Sequence, residues 1–286
     1  DYSKADWPDV QYRGIFLNDE EELDAWSKIH TKDDTIGPET YAHIFELLLR
    51  LKANYIWPAM HVNYFNSNPE NGRLAEKMGI VVGTSHCDML LRSNQNEWTP
   101  WLKKKNYENI RYDYSLSGEN REIIQEYWAE SVEMNRNYEV CYTVGMRGIH
   151  DSGFVTEVID QDTSLTQSER TEKKIHLLEK VISDQREILK EVLGEEKGNN
   201  VPQTFIPYKE VLDLYDGGLQ VPEDVTLIWV DDNFGYMRRY PGKEEQERKG
   251  GNGLYYHASY WASPGMSYLF FNSIPLAQTG NELKKC

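Results

Sequence analysis

The sequence predicts an α/β fold, a (β/α)8 barrel of the TIM type, and three observations carry that expectation. Short β-type runs alternate with helical ones along the whole chain, about seven times over. The β-type runs are continuously apolar rather than alternating, as strands covered on both faces are. The first of them also lacks the G-x-G-x-x-G turn of a doubly wound open sheet, the main competing fold, because Arg13-Gly14-Ile15-Phe16-Leu17-Asn18 runs straight through.

In chain order, strands are expected at residues 13–18, 54–58, 80–85, 140–146, 204–208, 225–230 and 254–258. The helix expected at 38–52 opens with Pro38 and Glu39 and places Ile44, Leu47, Leu48 and Leu51 on one stripe. Helices at 120–135 and 172–193 are equally periodic, and Gly194 stops the second. Weaker helical patterns cover 70–78 and 210–215, while 152–171 and 249–253 read as mobile loops. Residues 277–286 read as a helix with no strand after it. The expectation is therefore one barrel domain over 1–286, lacking its last βα unit and belonging to a longer protein.

Composition narrows the function. At 286 residues the chain can bury a full-sized core, and its mean hydropathy of −0.70 describes a soluble globular protein. No apolar run approaches the roughly 18 residues of a membrane span. The formal net charge of −16 argues against a nucleic-acid partner, which needs a basic face. Any anionic ligand must then be held by a few locally placed cations. Three cysteines, Cys87, Cys141 and Cys286, give an odd number without zinc-ligand spacing, which argues against a disulfide framework. The start of the chain is acidic and aromatic and carries no signal-peptide pattern; a secreted or periplasmic location is expected for a protein whose leader has been removed.

The expected strands end in polar or aromatic residues at their carboxyl ends, and in a parallel barrel those ends open on one face. The first ends in Asn18-Asp19-Glu20, the second in Trp57-Pro58 and the third in Thr84-Ser85-His86-Cys87-Asp88. The fourth ends in Arg147-Gly148-Ile149-His150-Asp151, the fifth in Tyr208-Lys209-Glu210, the sixth in Asp231-Asp232-Asn233, and the seventh in Tyr256-His257 followed by Tyr260. Convergence of seven such ends points to a shared ligand site.

Carboxylates, two cations and many aromatics suit a glycosidase, which needs two carboxyl groups flanking the scissile bond. Asp151 and Glu210 are the best pair, against the alternatives of helix capping or surface solvation. Arg147 can fork onto a ligand carboxylate, and Lys209 invites the same reading, with a salt bridge inside the protein as the alternative for each. Trp57 and Tyr260 are candidate stacking platforms, core packing being the other reading of Trp57. Asn233 suits sugar hydroxyls, and one of Asp231 and Asp232 is expected to orient the loop. Histidines are absent from the end of the first strand, so no metal and no cofactor is expected, and no G-x-S-x-G elbow marks a serine nucleophile.

These same stretches resemble the central catalytic domain of glycoside hydrolase family 115, the xylan α-1,2-glucuronidases. The resemblance rests on residues 12–20, on ELLLRLKANYIWP at 46–58 and PENGRL at 69–74, on Gly83-Thr84-Ser85-His86 and VGMRG at 144–148. It continues through Tyr208-Lys209-Glu210-Val211, Asp231-Asp232-Asn233 and Tyr255-Tyr256-His257. It implies a barrel that releases α-1,2-linked (4-O-methyl)glucuronic acid from glucuronoxylan or its oligosaccharides with inversion. Arg147, Asp151 and Glu210 then fall on the family's motif positions, and Asn233 and Tyr260 on residues associated with sugar binding or loop closure. Asn18, Trp57, His86, Asp88, Lys209 and Tyr208 complete the expected substrate-binding set. Two departures stand out: His86-Cys87-Asp88 where the family commonly has His-His-Glu, and Ile149-His150-Asp151-Ser152 where it usually has Asp-Gly-Asp-Glu. The expected partner is a xylan-derived carbohydrate bearing glucuronic acid, with neither nucleic acid nor membrane, and a homodimer of the full-length protein is expected. A glycosidase of the same fold acting on another uronic-acid-bearing glycan, and a non-catalytic glycan-binding barrel, remain open beside this reading.

Overall fold

The computed structural model describes residues 3, 7–18, 20–258 and 274–285. Within them the chain forms seven strands in two parallel sheets, each running in chain order. All seven expected strands have counterparts, each shorter than predicted, the fifth beginning one residue earlier than expected and the seventh two. The chain divides into two compact units, Asp1–Gly83 with Asn137–Val140, and Thr84–Arg136 with Cys141–Cys286.

The first unit contains β1 (Gly14–Phe16), α1 (Glu20–His30), α2 (Pro38–Arg50), β2 (Tyr55–Trp57), α3 (Pro69–Met78) and β3 (Val81–Val82). Its sheet runs β1-β2-β3, with Phe16 opposite Trp57 and Ile56 opposite Val82. Val82 also bridges Val140 in parallel. Helix α2 starts with Pro38 as expected, but its buried stripe is Tyr41, Ile44, Phe45 and Leu48. Leu47 and Leu51, expected inside, are 51% and 68% exposed. Both stripes have the i, i+3, i+4, i+7 spacing, and the one that carries two aromatic rings, Tyr41 and Phe45, is the one buried. Helix α1 escaped the sequence reading, although its acidic first turn (Glu20, Glu21, Glu22) and basic last turn (Lys28, His30) complement the helix dipole.

The second unit contains α4 (Asn94–Lys105), α5 (Glu119–Asn135), β4 (Tyr142–Thr143), α6 (Glu157–Asp160), α7 (Gln167–Leu193) and α8 (Glu195–Asn200). It continues with β5 (Gln203–Phe205), α9 (Glu210–Asp216), β6 (Thr226–Val230), α10 (Lys243–Gln246), β7 (Asn252–Tyr255) and α11 (Leu276–Lys285). Its sheet runs β4-β5-β6-β7, with Thr143 opposite Thr204, Phe205 opposite Leu227 and Val230 opposite Tyr255. Helix α4 was missed because Pro100 interrupts the pattern, yet Trp98 and Trp101 anchor it in the core. No helix among the described residues is long and apolar enough to cross a membrane.

Helix α7, at 27 residues, begins five residues earlier than expected, because a capping box nucleates it. The Thr166 hydroxyl accepts from Glu169 N, and the Glu169 carboxylate accepts from Thr166 N at 2.8 Å. Its buried stripe of Ile175, Leu178, Val181, Ile182, Gln185, Ile188 and Leu189 includes one polar side chain, Gln185. Replacing Thr166 with Ala is expected to lower the unfolding free energy by about 1 kcal/mol, read as a lower urea midpoint with an unchanged slope. An unchanged midpoint contradicts the role assigned to the cap.

Candidate active site

The site grows out of the carboxyl end of β4. After Thr143 the chain turns at Gly145, whose φ of +114° places it in the left-handed region. Gln185 of α7 clamps that residue from inside the core. Its Oε1 accepts Gly145 N at 2.7 Å, and its Nε2 donates to Gly145 O at 2.8 Å. Two residues on, Arg147 is 1% exposed. The sequence did carry a sign of Gln185, as a polar side chain on the apolar stripe of a long helix.

The guanidinium of Arg147 is committed to the protein's own carboxylates. Nε donates to Glu210 Oε1 at 2.9 Å and Nη2 to Glu210 Oε2 at 2.8 Å, a bidentate fork. The remaining nitrogen, Nη1, is paired with Asp151 Oδ1. The fork that the sequence reading assigned to a ligand carboxylate is therefore made inside the protein, the alternative left open for this residue. All three nitrogens are engaged, and the guanidinium holds the two expected catalytic carboxylates on different edges.

Asp151 reaches Arg147 through a tight loop. Gly148 N donates to Gly153 O at 2.5 Å, and a Cβ on Gly148 would lie 2.6 Å from that same backbone oxygen, so only glycine fits there. His150 and Asp151 both adopt positive φ, 51° and 61°. The segment read as a mobile loop is tied to the site, since Phe154 N donates to Glu210 Oε1 at 2.9 Å. From the end of β5, Lys209 (φ 50°, ψ −124°) donates Nζ to Asp151 Oδ2 at 2.6 Å. Non-glycine residues in such conformations cost energy and cluster at functional sites.

Burial pushes the Glu210 carboxyl up, but the hydrogen bonds and charge of Arg147, helped by the N–H groups of Glu210 itself and Phe154, hold it below the ordinary carboxylate range. His86, 8% exposed, lies with Nε2 3.1 Å from Asp151 Oδ1. Its Nδ1 has no hydrogen-bond partner among the described residues, so the ring proton sits on Nε2 and is donated to Asp151. Burial, followed by the charges of Arg147 and Lys209, pulls the His86 pKa down to about 3. Two cations, two carboxylates and a neutral imidazole sum to zero, a local neutrality inside a chain of formal charge −16.

Aromatic rings extend the cluster. The Tyr208 ring lies 4.2 Å from His86 and 5.6 Å from the Arg147 guanidinium, centroid to ring. Tyr255 stacks on His86 at 6.3 Å and meets His257 at 4.6 Å. His257 pairs through Nδ1 with the fully buried Asp231. Asp232 is the aspartate that orients the loop, its Oδ1 accepting from Phe234 N and Tyr236 N. Asn233 sits in that turn at φ 71°, and its buried Oδ1 has no partner among the described residues. Asp88 is 7% exposed, with Oδ2 3.5 Å from Cys87 Sγ.

Of the expected set, the second unit brings together His86, Arg147, Asp151, Tyr208, Lys209 and Glu210. Trp57 and Asn18 belong to the first unit. Asn18 is exposed after β1, while Trp57 is 6% exposed, edge-on to Phe16 and bonded through Nε1 to Tyr55 Oη at 3.1 Å, the core packing left open for it. Glu20, merely a polar strand end in the sequence, is 1% exposed and accepts from the consecutive N–H groups of Met60, His61, Val62 and Asn63. Tyr260 lies outside the described residues. Among those residues no group of three or more His, Cys, Asp and Glu side chains is placed to hold a metal ion.

The depressed pKa of His86 has a defined consequence for stability. Between its ordinary value of 6.5 and the folded value of about 3, the unfolded chain binds a proton that the folded chain refuses. Stability is thus fully present above pH 6.5 and lost as pH falls through that window. His86→Gln is expected to flatten the decline of melting temperature between pH 6.5 and 4; an equally steep decline contradicts a neutral, buried His86.

Comparison with known proteins fits this geometry. The pattern of glycosyl hydrolase family 115 matches residues 5–286. A search of curated proteins gives no match. Among solved structures, the chain is similar to a family 115 4-O-methyl-α-glucuronidase with specificity for decorated arabinogalactans, at 41% identity and a TM-score of 0.82. The alignment covers 97% of this chain and 35% of that one, so the chain spans about a third of the length of its relative. With a match over almost its whole length, the chain belongs to glycosyl hydrolase family 115.

Proposed function

We propose that this chain carries the catalytic carboxyl pair of an α-glucuronidase that hydrolyses (4-O-methyl)glucuronic acid side groups from a plant polysaccharide, with inversion. The observation that carries the reading is the pairing of Asp151 and Glu210 through one buried guanidinium, in a chain of this family. Inversion needs room for a water between the carboxyl groups, roughly 6.5–9.5 Å. Asp151 and Glu210 take separate edges of Arg147 rather than touching each other. Glu210, held below the ordinary range, is ionised at neutral pH and suits activation of the water. Protonation of the leaving oxygen then falls to Asp151, which takes up a proton from solvent before it acts, because here it is the ionised partner of Arg147, Lys209 and His86.

Glucuronoxylan is the substrate that the sequence motifs favour. The similarity to an enzyme specific for decorated arabinogalactans, together with the departures at Cys87-Asp88 and Ile149-His150, supports a second reading, a uronate-capped arabinogalactan. Incubation with each polymer, followed by proton NMR of the freed sugar, separates the two. The β-anomer should appear first, and first release of the α-anomer would sink inversion.

Asp151→Asn and Glu210→Gln are each expected to lower kcat by about 10²- to 10⁴-fold. An aryl glucuronide with a good leaving group should restore turnover to Asp151→Asn, because it needs no proton donor, and should not restore it to Glu210→Gln. The opposite pattern exchanges the two roles. Near-normal rates in both variants remove the pair from the chemistry.

A further inference from the structure

We infer that Asp231 is a positioning residue that fixes His257 in its Nδ1–H tautomer, so that Nε2 meets a glycan hydroxyl as a hydrogen-bond acceptor. Asp231 follows β6 and is 0% exposed. Its Oδ1 faces His257 Nδ1, and its Oδ2 accepts the backbone N–H of His257 at 3.3 Å. Both carboxylate oxygens are thus turned to the same residue. The backbone N–H can only donate, and a carboxylate only accepts, so the ring nitrogen facing Oδ1 must carry the proton. In the neutral ring the second nitrogen then keeps its lone pair. The His257 side chain is 15% exposed, and its ring is linked through Tyr255 to His86, which touches Asp151. Only the last step, from an Nε2 acceptor to a sugar hydroxyl, rests on the glycosidase reading.

The arrangement makes a sharp test of Asp231→Asn, which keeps the shape of the side chain. An amide offers one acceptor and one donor where the protein presents two donors. The backbone N–H cannot change, so it retains the acceptor; the new NH2 faces the ring and forces the proton from Nδ1 to Nε2. Long-range proton–nitrogen correlation spectra of the labelled protein read the tautomer directly. The Nδ1–H form is expected in the unsubstituted protein and the Nε2–H form in Asp231→Asn. On the glucuronide that the protein cleaves, kcat/KM should fall roughly 10- to 100-fold in this variant, the scale on which orienting partners of histidine act.

His257→Asn supplies the control. Its amide still donates to Asp231 but has no Nε2, so adding Asp231→Asn to it should cost nothing further. An Nε2–H tautomer in the unsubstituted protein, or an unchanged tautomer in Asp231→Asn, overturns the proposal. So does an equal loss of activity from Asp231→Asn with and without His257, the mark of a purely structural aspartate. A tautomer exchange in a protein that hydrolyses no glucuronide would instead refute the hydrolase reading and leave the role of Asp231 standing.

Discussion

Everything in the second unit's polar cluster follows from placing a guanidinium out of water at the end of β4. A buried charge is tolerated only when its hydrogen-bonding capacity is filled. Arg147 is balanced by two carboxylates brought from different segments, Glu210 from the start of α9 hydrogen-bonded to Nε and Nη2, and Asp151 from the loop that follows as an ion pair on Nη1. The supporting parts serve that one requirement. Gln185 fixes the backbone two residues upstream, Gly148 lets the loop double back, and Phe154 N takes up a further lone pair of Glu210. Removing either carboxylate would leave the cation partly unpaired, so the groups suited to chemistry are also the ones that make the site foldable.

Electrostatics at short range differ from those of the chain as a whole. The acidic composition predicts repulsion of a uronate, yet the cluster around Arg147 is balanced, with the Lys209 side chain still 47% exposed. A neutral His86 contributes shape and one hydrogen bond without adding charge. Any anion approaching such a site meets an exposed ammonium rather than a wall of carboxylates, the local remedy that a strongly acidic protein needs.

How much of this was legible in the sequence depends on the range over which each interaction acts. The seven strands were, because continuous apolar runs such as 226–230 encode burial on both faces locally. The gathering of Asp151, Glu210 and Lys209 was also legible, through their shared position at strand ends. What each group does with its neighbours was not. Arg147 looked equally suited to a ligand or to a partner within the chain, and only the arrival of Glu210 from 63 residues away decides it. Glu20 reads in the sequence as one polar strand end among several, and only the N–H groups of 60–63 closing around it give it a role. Leu47 and Leu51 show the same limit in the core, since periodicity names a stripe without saying which of two overlapping ones the sheet will cover.

The left-handed backbone at His150, Asp151 and Asn233, and the unusual angles at Lys209, bear on how this protein can change over generations. Each such residue holds something on the order of 1–3 kcal/mol that glycine would release. Drift toward a sturdier fold therefore has an open route through positions such as Asp151 and Lys209, whose side chains carry the polar cluster. A lineage that keeps these residues has resisted that route, and one that takes it would gain robustness while losing the groups that set it apart from an ordinary scaffold.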